Sequence, residues 1–294
     1  MAKQIQLDAF KQQAEPLRAL GIRVYQKGEE VGAFDFEVMG RRNIYSVSKS
    51  FCSSAVGIAI EEGVLKLDEK IVDLFPEHLP KEPNENLKSA TLRDCLTMCL
   101  GLEDAFLMSA DRSYHTEEDW IALSLARPFT YAPNTHFCYN NVGPYLIGLV
   151  IQQRTGENLM EYLYSRMLKP MGIFRTGWEC DPQGRTFGGS GMFLNLDEIH
   201  KLGKLYLHEG QWEGKQLVPA DWVKEASRKQ VDNGQEGYGY FFWRGRENSF
   251  RADGMYGQYS IVLPDKEAVV SVIAESRQAG TLLNTIFDTV CNQL

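Results

Sequence analysis

Between Ser50 and Ile60 the chain carries no charged side chain, and small or apolar residues occupy every face of the helix that this spacing predicts. A helix with no polar face must be buried all round, so the other elements have to be arranged about it. Immediately before this run stand Ser46 and Lys49, the single Ser-x-x-Lys in the sequence. Residues three apart share one helix face, which brings a hydroxyl and an amine together at the mouth of an apolar element. The first helical turn also leaves backbone N–H groups without intrahelical partners, pointing at whatever Ser46 would attack. Taken alone, the four letters favour Ser46 capping the helix and Lys49 reaching out to solvent over a catalytic pair.

The remaining sequence predicts what surrounds that helix. Residues 4–20 space Ile5, Phe10, Ala14, Leu17 and Leu20 as an amphipathic helix stopped by Gly21, and Ile22 to Tyr25 with Val31 to Met39 reads as a β-hairpin. Helical patterns follow over Thr91 to Met98, with Gly101 as the stop, and over Glu117 to Ala126, Asn141 to Thr155 and Leu159 to Leu168. Asp197 to Leu207, Pro219 to Ser227 and Leu282 to Cys291 are further helices, whereas Tyr238 to Trp243, Met255 to Leu263 and Ala268 to Ala274 alternate as strands. Strands at both ends of a helical middle predict an α+β fold, an α/β sandwich. Its mainly antiparallel sheet is built from both termini and flanked by helices, with an inserted all-helical domain. The expected division is 1–75 with 185–294 for the sheet domain, and 76–184 for the helical one.

Composition narrows the function. With 294 residues, 44% hydrophobic and 24% charged, the chain has ample material for a core, and a net charge of -8 without a basic block argues against nucleic acid. The six cysteines, Cys52, Cys95, Cys99, Cys138, Cys180 and Cys291, form no CxxC pair and read as reduced thiols. Cys95 and Cys99 have no second ligand pair nearby, so neither a metal nor a cofactor is expected. No apolar run approaches the ~18 residues of a membrane span, and Met1 to Leu20 carries five charges and no signal-peptide pattern. The expectation is a soluble, cytoplasmic protein acting on a small molecule.

Two later stretches join the Ser46 turn. Tyr139-Asn140-Asn141 lies on a loop before a helix, where Asn141 could cap and Tyr139 could pack. Phe250 to Tyr259, with Gly254 and Gly257, enters a strand and by itself reads as a bend. Gly188-Gly189-Ser190-Gly191 lacks the Lys-Ser/Thr of a phosphate loop and reads as a turn bordering a pocket. Tyr114, Trp120, Trp178, Tyr238, Phe242 and Tyr256 are candidates for pocket lining.

Together, Tyr45 to Phe51, Gly57 to Gly63, Thr91 to Met98 with Gly101-Leu102, Tyr139-Asn140-Asn141 and Gly254-x-x-Gly257-Gln258 resemble the β-lactamase-related serine hydrolases over about residues 20–290. That superfamily includes class C β-lactamases, penicillin-binding D-amino-acid peptidases, esterases and amidases. The resemblance implies Ser46 as nucleophile and Lys49 and Tyr139 as its activating pair. It places Asn141 beside Lys49 or the substrate amide, and Gly254 with the Met255 N–H at the oxyanion site. Where the family has Lys-Thr-Gly or His-x-Gly, this chain has Ala252-Asp253-Gly254, with Arg251 and Arg244 as substitute cations.

The chemistry follows from the residues. A serine hydroxyl needs a base, and Lys and Tyr titrate near ~10.4 and ~10, so one of them must be shifted by roughly 3 units, about 4 kcal/mol. Burial of Lys49 and a second cation would lower its pKa; alternatively its ammonium would stabilise a Tyr139 phenolate. The expected activity is a serine hydrolase forming an acyl-enzyme on Ser46 and hydrolysing a small ester or amide. The alternatives are a β-lactamase or D-amino-acid peptidase, and a non-catalytic ligand-binding protein on the same fold.

Overall fold

The computed structural model describes residues 4–38 and 40–294; Met39, the expected end of the hairpin, lies outside the described residues. Strands β1 (Ala19–Gln26) and β2 (Glu29–Asp35) form that hairpin. Further on come two short antiparallel pairs, β3 (Arg42–Asn43) with β4 (Phe193–Leu194) and β5 (Gln211–Trp212) with β6 (Lys215–Gln216). β7 (Trp243–Arg244), β8 (Phe250–Gly254), β9 (Gln258–Leu263) and β10 (Ala268–Ala274) complete the set. The main sheet runs β2-β1-β10-β9-β8-β7, antiparallel throughout, so the chain's two ends meet in the centre at β1 and β10. This is the mixed α/β architecture with a mainly antiparallel sheet that the sequence predicts.

Helices cover both faces. On one, α1 (Asp8–Ala14) and α12 (Ala279–Thr289) bury Phe10, Ala14, Leu282 and Ile286 against Ile22, Val24, Val270 and Val272. On the other, α2 (Val47–Glu61) and α10 (Leu196–Leu207) lie on β8, β9 and β10, with α11 (Ala220–Ser227) beside α2. Beyond α2 are α3 (Ile71–Leu74), α4 (Glu85–Ser89), α5 (Leu92–Thr97), α6 (Ser109–Arg112), α7 (Trp120–Leu125), α8 (Val142–Thr155) and α9 (Leu159–Leu163), the last continuing into a π-helical turn over Tyr164–Leu168. Every residue of α2 from Val47 to Ala59 is buried, as its uncharged sequence requires, and its side chains belong to one apolar cluster shared with the sheet, α5 and α8. The division into 1–75 with 185–294 and 76–184 stands as our proposal, α2 being the element both parts pack against.

Several boundaries differ from expectation. The predicted helix over 4–20 is only α1, because Pro16 has no N–H to continue it and the left-handed Arg18 (φ 61) turns the chain into β1, in which Gly21 is a strand residue. Met98 (φ 60), rather than Gly101, terminates α5, whose start is held by a reciprocal Thr91–Asp94 capping box. The strand expected from Met255 begins at Gln258, residues 255–257 forming a turn, and the one expected over Tyr238 to Trp243 keeps β pairing only at its two ends, an isolated bridge at Tyr238 and the start of β7 at Trp243, with the left-handed Phe241 (φ 62) between them.

The contact of α2 with α11 depends on Gly57: a Cβ there would stand 2.3 Å from the Trp222 ring, which is stacked on Tyr240 with centroids 5.3 Å apart. Gly57→Ala is therefore expected to destabilise the protein by about 1–3 kcal/mol, the usual cost of overpacking a core, despite alanine's better helix propensity. Urea unfolding measures this, and an unchanged midpoint would show that Trp222 moves aside freely.

Candidate active site

The loop entering α2 is fixed before Ser46 is reached. Tyr45 is left-handed (φ 48), an uncommon conformation for a bulky residue, and its N–H donates to Asn43 Oδ1 at 2.7 Å. Ser48 Oγ donates to the Tyr45 carbonyl at 2.6 Å and accepts from the Met192 N–H at 3.1 Å, and Ile44 N–H donates to the Met192 carbonyl at 2.9 Å. With the β3–β4 pairing of Asn43 with Phe193, these bonds lay the segment 188–192 alongside the start of α2. Ser46 occupies the N-cap position, yet its side chain makes no capping bond, so its hydroxyl is free for another partner.

That partner is Lys49. Its Nζ lies 3.1 Å from Ser46 Oγ, 2.5 Å from Asn141 Oδ1 and 2.7 Å from the Gly189 carbonyl oxygen. The side chain is 1% exposed, so it does not reach solvent. Burial first, and then the Arg112 charge, pull the amine down from its ordinary value to about 7. The orientation of Asn141 is set by its other end, where Nδ2 donates to the Leu107 carbonyl at 2.8 Å, leaving Oδ1 for Lys49. Asn141 therefore does not cap α8; Asn140 does, accepting from the Gly143 N–H at 2.9 Å.

Tyr139 stands across the opening, its ring centroid 4.9 Å from Lys49 Nζ and 5.2 Å from the Trp243 ring, with Tyr238 edge-on. Its hydroxyl interacts with Ser46 and the Trp243 indole, but burial dominates and raises its pKa, with Asp253 adding to the rise. Asp253 pairs with Arg251 at 2.8 Å, and Arg244 is taken up by the Ser227 carbonyl at 2.8 Å and Asn248 Oδ1 at 2.7 Å. Both substitute cations are thus engaged, while Ala252 faces the core.

Gly254 and Met255 come to the same place from the strand side. β7 pairs only with Arg251 and Phe250, so the last residues of β8 form a free edge beside α2. A Cβ on Gly254 would stand 2.4 Å from the Ile44 carbonyl, which only glycine avoids. Met255 follows in the turn, 44% exposed, and Tyr256 packs edge-on against Tyr45 at 5.3 Å. Of the expected lining aromatics, Tyr256 is at this rim and Tyr238 is beneath Tyr139. Trp120, Trp178 and Phe242 are core residues and Tyr114 is 81% exposed, away from any packed wall.

Two contributors carry no motif. Gly189 offers a carbonyl, and the sequence marks it only as part of the Gly188–Gly191 turn expected to border a pocket; a Cβ there would lie 3.0 Å from Asn141 Oδ1. Arg112, on a short helix with no periodic signal, supplies the second cation. A cleft of about 520 Å³ between Gly57, Arg93, Trp222 and Tyr240 lies at the far end of α2, away from Ser46 and Lys49.

The fold and the converging Ser, Lys, Tyr and Asn define a class, and comparison with known proteins gives the family. A family model described as Beta-lactamase matches residues 22–283, and the chain belongs to that family. Among solved structures it is similar to a putative 6-aminohexanoate-dimer hydrolase from Bacillus anthracis, with a TM-score of 0.81, 18% identity and coverage of 98% of this chain and 87% of that one. It is also similar to EstCE1, described as a hydrolase with promiscuous acyltransferase activity, with a TM-score of 0.76, 17% identity and 97% of each chain covered. An uncharacterized protein of Alkalihalophilus pseudofirmus is 23% identical over 210 residues, 65% of this chain and 55% of that protein. The chain thus spans about half, or less, of the length of the curated relatives it matches. Among the described residues no helix is long and apolar enough to cross a membrane.

The Lys49 environment makes a direct prediction. With selectively ¹³C-labelled lysine, and Lys49→Gln to assign the signal, the Lys49 Cε resonance is expected to titrate with a midpoint near 7, the amine being neutral above it. A midpoint near ~10, the unperturbed value, would contradict the burial and charge argument.

Proposed function

We propose that this protein is a serine hydrolase in which Lys49 is the base, Ser46 the nucleophile and a small uncharged ester or amide the substrate. The observation that carries the reading is the set of three contacts at Lys49 Nζ. A neutral amine has two N–H donors and one lone pair. Asn141 Oδ1 and the Gly189 carbonyl can only accept, so they take both hydrogens and leave the lone pair facing Ser46 Oγ at 3.1 Å. On this reading Lys49 receives the Ser46 proton as Oγ bonds to the substrate carbonyl carbon.

The carbonyl π electrons move to oxygen, where the Ser46 and Met255 N–H groups are the proposed donors. When the carbonyl re-forms, the alkoxide or amine leaves with the proton of the Tyr139 hydroxyl, which the Lys49 ammonium replaces with the one it took from Ser46, Oγ now being the ester oxygen and carrying none. Tyr139, held protonated by burial, suits a donor rather than a base. Water then repeats the sequence on the acyl-enzyme, restoring the Ser46 hydroxyl. The similarity to proteins described as a 6-aminohexanoate-dimer hydrolase and as a promiscuous acyltransferase supports amide and acyl chemistry on this fold.

The substrate preference rests on charge. A β-lactam or a C-terminal peptide carries a carboxylate beside the scissile bond, whereas Arg251 is already paired with Asp253 and the Arg244 guanidinium is held by the Ser227 carbonyl and Asn248 Oδ1. An uncompensated charge contact is worth roughly 1.5–3 kcal/mol, so kcat/KM for p-nitrophenyl butyrate is expected to exceed that for a chromogenic cephalosporin by at least about tenfold. Comparable values would restore the β-lactamase or peptidase reading.

The nucleophile is tested with a fluorophosphonate and intact-mass analysis. One adduct is expected on the wild type and none on Ser46→Ala, with ester turnover falling at least about 10³-fold. Lys49→Met and Tyr139→Phe should each lose about 10²–10⁴-fold, the usual range for acid–base groups. No adduct on the wild type would favour the ligand-binding reading, and an adduct surviving in Ser46→Ala would move the nucleophile elsewhere.

A further inference from the structure

Arg112 ends α6 with only 8% of its surface exposed, and its guanidinium bonds to groups that stand directly behind the two acceptors of the Lys49 amine. Nη1 donates to the Leu107 carbonyl at 2.9 Å, the same oxygen that accepts from Asn141 Nδ2. Nη2 donates to Ser190 Oγ at 3.0 Å, one residue beyond the Gly189 carbonyl that accepts from Lys49. Nε and Nη2 form a two-bond pair with Glu179 at 2.9 and 2.6 Å, and the guanidinium lies 4.5 Å over the Phe187 ring. Glu179 in turn exchanges backbone bonds with this segment, donating to the Gly191 carbonyl at 3.0 Å and accepting from the Phe187 N–H at 2.8 Å. One side chain therefore braces both oxygens on which the Lys49 hydrogens rest.

The groups facing the amine come from three directions. Along α2 is the Cys52 thiol, pushed up to about 12 by burial and therefore uncharged. From the loop before α8 comes the Tyr139 phenol, also held protonated by burial. From behind the cradle comes Arg112, a permanent charge that opposes a second positive charge on Nζ.

We infer that Arg112 is a positioning residue for the Lys49 amine: it fixes the two acceptor oxygens and sets a permanent cation where it disfavours the ammonium. This rests on the reading of Lys49 as the base. Glu179 belongs to the same device, since it partly neutralises Arg112 and so limits its field.

The test is the pH dependence of kcat/KM for p-nitrophenyl butyrate, corrected for spontaneous hydrolysis. Activity should rise with pH as Lys49 loses its proton, giving the wild type an acid limb near 7. In Arg112→Gln the limb should move up by about one pH unit, a loss of about tenfold below pH 6 and about fivefold at pH 7 that recovers to within about threefold in alkaline solution. Arg112→Lys, which keeps the charge, should return the limb most of the way. Glu179→Gln, which unshields Arg112, should move it in the opposite direction, and this variant keeps the test decisive even if Arg112→Gln does not fold. A loss in Arg112→Gln that is uniform across pH, or a Glu179→Gln limb that stays or rises, would overturn the inference and leave Arg112 a purely structural brace. If Lys49→Gln keeps residual turnover with the wild-type limb, the limb belongs to another group and the base reading itself fails, taking this one with it.

Discussion

Everything around Ser46 depends on keeping one amine out of water. A lysine pulled from its ordinary value to about 7 corresponds to roughly 5 kcal/mol of disfavour for its charged form. In a protein whose total stability is of the order of 5–15 kcal/mol, an isolated buried ammonium would be a serious defect. The structure resolves it by making the neutral form comfortable: two acceptors for two hydrogens, and a hydroxyl at the lone pair. The lack of charge in α2 next to Lys49 suits the same need, because an acidic side chain one turn away would pair with the amine and restore its proton. So does the presence of Arg112, whose charge pushes in the same direction as burial while its own cost is met by Glu179, Ser190 and the Leu107 carbonyl.

The second constraint is close approach. Three chain segments distant in sequence meet at the start of α2, and at each meeting a glycine stands where a Cβ would collide. Gly254 lies against the Ile44 carbonyl, Gly189 against Asn141, and Gly188 (φ 72) against the Pro144 carbonyl. The site is thus a junction of backbones, with the β8 edge on one side and the 188–192 segment on the other. This is why the segment enters β4 directly after crossing Lys49, and why β7 stops short of Ala252 and leaves the edge free.

What could be read from the sequence was what is local or periodic. Ser46 and Lys49 are one helical turn apart, so their meeting needs no tertiary information, and the lack of charge from Ser50 to Ile60 announced the burial that tunes the amine. The alternation in Ala268 to Ala274 and the helical spacing in Asn141 to Thr155 located a central strand and a central helix correctly. Asn141 and Tyr139 came only through resemblance to a family, since their contacts span 92 residues in the first case and a loop crossing in the second. Gly189 was legible only as part of a glycine-rich turn bordering a pocket, because it acts through a carbonyl that every residue possesses. Arg112 was hidden for a different reason: nothing in its neighbours' spacing marks a buried arginine, and its partner Glu179 lies 67 residues on. The overlong N-terminal helix failed where Pro16 and a left-handed Arg18 outweighed apolar spacing, a case of backbone chemistry overriding pattern.

The two groups that flank Ser46 are driven apart by what surrounds them. Burial acts on both, and it favours the neutral form of each: it lowers the lysine and raises the tyrosine. The neighbouring charges are arranged to reinforce this, with Arg112 on the lysine side and Asp253 on the tyrosine side. On the proposed mechanism the neutral amine serves as base and the neutral phenol as acid, so a single apolar environment, polarised by one cation and one anion at its ends, suits the two to opposite roles. Exchanging the charges would reverse the assignment, with an anion near Lys49 keeping it protonated and a cation near Tyr139 drawing out its phenolate. Asp253 therefore bears on more than substrate charge: it adds to the burial that holds Tyr139 in the form the proposed proton return requires.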